Sequence, residues 1–196
     1  MSQCVGEVLD QYRKELIDCI NATDKNEFQK VIDILLDAYK NNRQVIIMGN
    51  GGSAGTANHF VCDFGKNAVQ GNHRRFRILS VCDNVEKITA LGNDIAFDEI
   101  FRQQLINLMQ EEDAIICISA SGNSPDLVKA LEYANEKHGH IISMAGFKGG
   151  KIKEMSEATL VAEMESYERI EDMHLMWLHM IVCWMKANQD VLNSLE

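Results

Sequence analysis

The sequence predicts a doubly wound α/β fold, a three-layer αβα sandwich in which helices cover both faces of a parallel sheet. Three observations lead there. Five short apolar runs are spaced along the chain, segments with helical periodicity separate them, and stretches rich in glycine or serine follow the first and third runs. A strand buried on both faces loses the alternation of a half-exposed strand and reads as an unbroken apolar run. The pattern therefore indicates parallel strands joined by helical crossovers.

The chain opens with two amphipathic helices forming an N-terminal helical hairpin. Over residues 5–20, Val5, Leu9, Leu16 and Ile20 fall near helical spacing, and over 26–40 Phe28, Val31, Ile32, Leu35, Leu36 and Tyr39 repeat the pattern. The first strand is Val45–Met48, bounded by Asn41-Asn42-Arg43 and by Gly49-Asn50-Gly51-Gly52. Further strands are predicted at Arg77–Val81, Ala114–Ile118, His140–Met144 and Ala158–Val161. Pro125, the single proline, follows Ser124 as proline at a first helical position follows an N-cap, which sets a helix start just after the third strand. From about Glu168 to Val191 apolar residues run almost all round, predicting one long buried helix. A helix that apolar packs on other subunits as well as on its own sheet, so a homo-oligomer is expected. With no linker or low-complexity tract, residues 1–196 read as a single domain.

Composition narrows the partners. A formal net charge of −10 argues against nucleic acid and anionic membranes, which demand clustered lysine and arginine. The one basic cluster, His73-Arg74-Arg75-Phe76-Arg77, is short and reads as a solvated loop leading into a strand, with capacity for at most one small phosphate. Six cysteines without a CxxC pair suggest reduced thiols and a cytoplasmic protein. The N-terminus lacks the basic and apolar regions of a signal peptide, and no run approaches the roughly 18 residues that span a bilayer.

Four constellations bear on chemistry. Gly49-Asn50-Gly51-Gly52-Ser53 follows a strand and opens a helix, where backbone N–H groups and the helix N-terminus favour an anion; a ligand-free tight turn fits it equally well. Ser119-Ala120-Ser121-Gly122-Asn123-Ser124 occupies the same place after the third strand. Its three hydroxyls and free amides could hold a phosphate without lysine or arginine, and in an open parallel sheet ligands lie outside the carboxyl ends of the strands. His59 and Asp63, spaced i and i+4, share a helix face and could bind a divalent metal or move a proton; taken alone, they read first as a structural histidine braced by aspartate. In the last helix Glu171 and His174 share a face, while His179 lies about 80° round from Glu171 and roughly 12 Å along the axis. One metal cannot easily take both Glu171 and His179 from a straight helix. His174 reads as a satisfied buried or interface histidine.

Together with Gly92-Asn93-Asp94, Phe97–Phe101, Gly149-Gly150-Lys151 and Arg169–His174, these residues resemble the sugar isomerase (SIS) domain family, and within it the bacterial phosphoheptose isomerases, over nearly the whole chain. The resemblance implies a five-stranded parallel sheet, a homotetramer with active sites shared between subunits, oligomer contacts made by residues 1–42, and often a bound zinc ion. By position it implies substrate binding at Asn50, Gly51, Gly52, Ser53, Asn93, Asp94, Ser119, Ala120, Ser121, Ser124 and Glu171. It places metal ligands at His59, Asp63, Glu171 and His179. Asp63 stands where the family has a glutamate that is both ligand and base, and Glu171 where it has glutamine; Lys66 lies near a frequent arginine. The activity implied is aldose–ketose isomerisation of a sugar phosphate, sedoheptulose 7-phosphate to D-glycero-D-manno-heptose 7-phosphate, through an enediol. His179, Asp63 and Glu171 are its candidate catalytic groups. The competing expectation is a non-catalytic binding protein, such as the relatives that associate with the bacterial replication initiator.

Overall fold

The computed structural model describes residues 4–196. Helices α1 (Val5–Ala22) and α2 (Lys25–Lys40) lead into β1 (Gln44–Gly49), α3 (Gly52–Asn67) and β2 (Arg77–Ser80). Next come α4 (Val85–Asp94), a 3-10 turn (Phe97–Glu99), α5 (Arg102–Leu108), β3 (Ala114–Ser119), α6 (Pro125–Glu136) and β4 (His140–Gly146). The chain ends with α7 (Gly150–Glu154), β5 (Ala158–Ala162), α8 (Tyr167–Ala187) and α9 (Gln189–Asn193).

All five predicted strands form, and they pair in parallel in the order β2-β1-β3-β4-β5. Strand β3 is buried at every position, and so is β1 after its first residue, which explains their uninterrupted apolar runs. The chain moves one way from β1 to β2 and the other way from β3 onward. Right-handed crossovers then put α3 on one face and α5, α6 and α7 on the other, and α8 packs beside α3. Phe60 and Phe64 of α3 stack with Phe76 and Tyr39 at centroid spacings of 4.5–4.8 Å, locking α3 against the loop before β2.

Two expectations change. The predicted terminal helix breaks at Asn188, whose extended φ of −120° ends α8 and whose side chain donates to the Trp184 carbonyl. Helix α8 is also buried on one side only: Trp177 and Met185 are inside, while Met176, Met180 and Trp184 are half-buried and Cys183 is exposed. Among the described residues, α1 buries none of its own side chains. It rests chiefly on α8, where the Tyr12 hydroxyl donates to Asp172 and Arg169 Nε lies 2.6 Å from Glu15, close enough for an ion pair but misaligned as a hydrogen bond. The Asp172 carboxylate beside Tyr12 pushes that phenol up to about 12.

The basic cluster is spent on structure. Arg74 and Arg77 donate to the Tyr39 and Asn42 carbonyls, Arg75 gathers the carbonyls of Lys66, Val69 and Gly71, and His73 faces Glu196. All six cysteines are free, and no helix of the described residues is long and apolar enough to cross a membrane.

Candidate active site

Strands β1 and β3 lie side by side with Gly49 opposite Ile118, so the two loops leave adjacent strand ends at the point where the winding reverses. That crevice is where an open parallel sheet binds ligands. A cleft of about 660 Å³ opens there, walled by Asn50 and Gly51, by Ser124, Pro125 and Asp126, and by Ala96–Asp98 around the 3-10 turn. A larger groove of about 1230 Å³ between α1, α2 and β5 contains none of the predicted site residues.

The serine loop is built to leave donors free. Gly122 adopts φ +65°, and a Cβ there would strike the Gly149 carbonyl, so the loop packs tightly against the start of α7. Ser119 Oγ is buried and accepts from Gly122 N at 3.1 Å, while Ser121 Oγ accepts from Asn123 N at 3.3 Å. Ser124 is the N-cap of α6, as predicted, yet its side chain makes no capping bond. Ser124, Pro125 and Asp126 at the start of this 12-residue helix line the cleft, and the Ser124 hydroxyl with the first-turn amides after Pro125 has capacity for an anion. Ala120 is buried beneath them and its carbonyl accepts from Gly146 N.

The glycine loop works the same way. Gly51 is the N-cap of α3 and has no side chain with which to cap, and Ser53 is buried in the first turn. The Glu171 carboxylate lies directly over Gly52, where any Cβ would collide with it. A carboxylate at a helix N-terminus is favoured by the helix dipole. Among the described residues no hydrogen bond or ion pair engages Glu171.

About two turns along the same pair of helices, His59 and His179 meet Nε2 to Nε2 at 3.0 Å. Asp63 Oδ2 lies 3.5 Å from His59 and 3.6 Å from His179. The structure thus assembles His59, Asp63 and His179, with donor atoms all within 4.8 Å of one another. Tetrahedral zinc with nitrogen and oxygen ligands at about 2.0–2.1 Å separates its donors by roughly 3.3 Å, so two imidazoles and a carboxylate at these spacings fit such an ion. Glu171, expected as a fourth metal residue, is not part of this trio.

The remaining predicted residues fall as follows. Asn93 and Asp94 end α4, exposed and bonded to each other at 2.8 Å, and the cleft wall is formed instead by the residues just after them. Lys66 is exposed at the end of α3. His174 is fully buried against β4, but neither ring nitrogen has a well-formed partner; the Ala145 backbone offers only a poorly aligned contact. Burial pushes its pKa down to about 4, so it is a neutral core histidine. Asp126, which the motifs did not mark, is buried in the cleft wall with Asn50 as its partner at 2.7 Å. An aspartate in the first turn of a helix reads as a dipole residue, so nothing in the sequence distinguished it.

The SIS domain family model matches residues 11–146. The phosphoheptose isomerase of Citrifermentans bemidjiense is 35% identical over 78% of this chain and 79% of its own length. That of Helicobacter pylori is 32% identical over 76% and 78%. The phosphoheptose isomerase GmhA from Neisseria gonorrhoeae shares the fold with a TM-score of 0.85 at 24% identity, covering 93% of this chain and 97% of that one. A match over more than half the chain, together with relatives at this identity over three-quarters of both lengths, makes this protein a member of the SIS domain family, among its phosphoheptose isomerases.

Proposed function

We propose that this protein isomerises sedoheptulose 7-phosphate to D-glycero-D-manno-heptose 7-phosphate. Its kinship with the phosphoheptose isomerases of Citrifermentans bemidjiense and Helicobacter pylori supports the reaction class. The observation that carries it is the convergence of His59, Asp63 and His179 about two turns along α3 and α8 from the Glu171 carboxylate, which lies at the same sheet end as a hydroxyl-rich anion loop. A pure binding protein needs the loop but not the four polar groups.

The phosphate sits on Ser119, Ser121, Ser124 and the amides opening α6, which hold it without a cation and so suit an acidic protein. The sugar chain runs along the Asn50 wall and carries its C1–C2 end toward Gly52. Isomerisation removes the proton beside the carbonyl and returns one to the neighbouring carbon. Glu171 suits that role because no other group engages it, whereas Asp63 is shared between two histidines. His179, about two turns along α8 from Glu171, reaches the substrate from a second copy in the homotetramer and moves protons between the two sugar oxygens. Zinc held by His59, Asp63 and His179 would supply positive charge against the developing enediolate. The protein acts in the cytoplasm with its thiols reduced, as a homotetramer whose contacts include the N-terminal helices.

Metal-analysed protein incubated with sedoheptulose 7-phosphate should form the aldose, and His179→Ala should abolish this while leaving the fold intact. Full turnover in that variant removes His179 from the chemistry. Phosphosugar binding without turnover in the unaltered protein identifies a binding module instead.

A further inference from the structure

Asp126 is the second residue of α6, 2% exposed, and its Oδ2 accepts from Asn50 Nδ2 at 2.7 Å. The two residues come from opposite sides of the gap between β1 and β3, and both line the cleft. Among the described residues no lysine, arginine or histidine forms an ion pair with Asp126. An ionised carboxylate only accepts hydrogen bonds, so this contact settles which way the Asn50 amide is turned. The NH2 group points into the wall toward Asp126, and Oδ1 is turned away from it. An asparagine without such a partner has two orientations of similar shape, one presenting a donor and the other an acceptor.

We infer that Asp126 is a positioning residue that aims the side-chain carbonyl of Asn50 at a hydroxyl of the sugar chain. The inference rests on the isomerase reading, which supplies a polyol phosphate as the ligand. The wall then presents acceptors to the ligand: Asn50 Oδ1 and Asp98, whose charge is shared with Lys129 at 2.8 Å. Hydroxyls can donate to both. A site built to hydrogen-bond hydroxyls rejects analogues that lack them more strongly than an apolar wall does.

A double-mutant cycle tests this. The constants kcat and KM for sedoheptulose 7-phosphate, its calorimetric Kd and the thermal midpoint are measured for the unaltered protein, Asn50→Ala, Asp126→Ala, Asp126→Asn and the double alanine variant. Asp126→Ala should raise KM and Kd about tenfold, the scale of one lost hydrogen bond to a charged group, with kcat changed by less than about threefold. Asp126→Asn should stay within about threefold of the unaltered KM, because its amide oxygen can still accept from Asn50. In the Asn50→Ala background, Asp126→Ala should add nothing, as for residues acting as one unit. Effects that multiply, or an Asp126→Asn variant as damaged as the alanine, overturn the inference. If Asp126→Ala fails to fold, Asp126→Leu fills the volume without an acceptor and must give the same pattern. Unaltered protein that neither binds nor converts the sugar removes the isomerase reading and the inference together; turnover with an additive cycle removes the inference alone.

Discussion

His59 and His179, 120 residues apart, face each other Nε2 to Nε2 at 3.0 Å. At most one hydrogen fits between two nitrogens so close, so at least one presents its lone pair, and the Asp63 carboxylate is placed to neutralise whatever charge gathers there. The contact exists because α3 and α8 run side by side: Gly52 meets Glu171 near the helix starts and Gln189 reaches the Ala68 carbonyl beyond their ends.

A divalent ion joining three groups from two helices should stabilise the folded chain. At zinc a hundredfold above Kd, linkage gives about 2.7 kcal/mol, on the order of 5–10 °C in thermal midpoint for a chain of this length. Scanning calorimetry of chelator-treated and zinc-loaded protein measures it. His59→Ala and Asp63→Asn should each abolish the zinc-dependent shift, and a shift that survives both places the ion elsewhere.

Gly52→Ala probes Glu171 without touching its charge. The new methyl must displace the carboxylate, which lies at the far end of a flexible side chain, so the stability cost should be small, about 1 kcal/mol. Isomerase turnover should fall at least tenfold while Kd for the sugar phosphate changes little. Unchanged kcat would show that the position of Glu171 over Gly52 is irrelevant to the reaction.

Ser124→Ala separates ligand binding from helix capping. An N-cap serine ordinarily contributes about 1 kcal/mol through its side-chain bond, and Ser124 makes none. The variant should therefore keep its unfolding free energy from urea titration within a few tenths of a kcal/mol while binding sugar phosphate severalfold more weakly. Equal losses in both measurements would mark Ser124 as a structural cap.

The strands were legible because strands buried on both faces must be apolar throughout, and Val45–Met48 and Ala114–Ile118 could hardly be anything else in a chain of this pattern. The glycine and serine loops were legible for the same reason, since each begins where such a run stops. What joins the two halves of the site was not. His59 and Asp63 share a helix face in any structure, but His179 reaches them only through the packing of α3 on α8, which no local spacing encodes. Ser124 was rightly placed as an N-cap by position, yet the freedom of its hydroxyl depends on coordinates. Asn188 ends α8 through its own backbone and side-chain bonds in the midst of an apolar pattern that continues past it.

His174 makes stability depend on pH. Its folded pKa near 4 lies below the ordinary value of 6.5, so the unfolded chain binds more protons between those values and stability falls as pH drops through that window. At pH 5 the loss is roughly 2 kcal/mol relative to pH 7. Urea unfolding at the two pH values should show this loss, and His174→Leu, which has no proton to bind, should lack that part of it. An identical pH dependence in the variant would assign the acid sensitivity to other groups.

Helix α1 provides a direct test of assembly. Val5, Val8, Leu9 and Ile17 are exposed at 78%, 46%, 57% and 49%, an apolar stripe on a helix that buries no side chain of its own within the subunit. Its anchors to α8, Tyr12 with Asp172 and Glu15 with Arg169, are polar, and Leu9 takes no part in them. Leu9→Asp therefore removes nothing from the core, and the far-ultraviolet spectrum should stay the same. Placing a carboxylate in an apolar contact between copies is costly without a partner, so sedimentation velocity should show a smaller species than the unaltered protein. Unchanged mass in Leu9→Asp would remove the exposed apolar residues of α1 as a contact between copies; a single-copy mass in the unaltered protein would remove the oligomer itself, and a larger one would turn attention to the half-buried Met176, Met180 and Trp184 of α8.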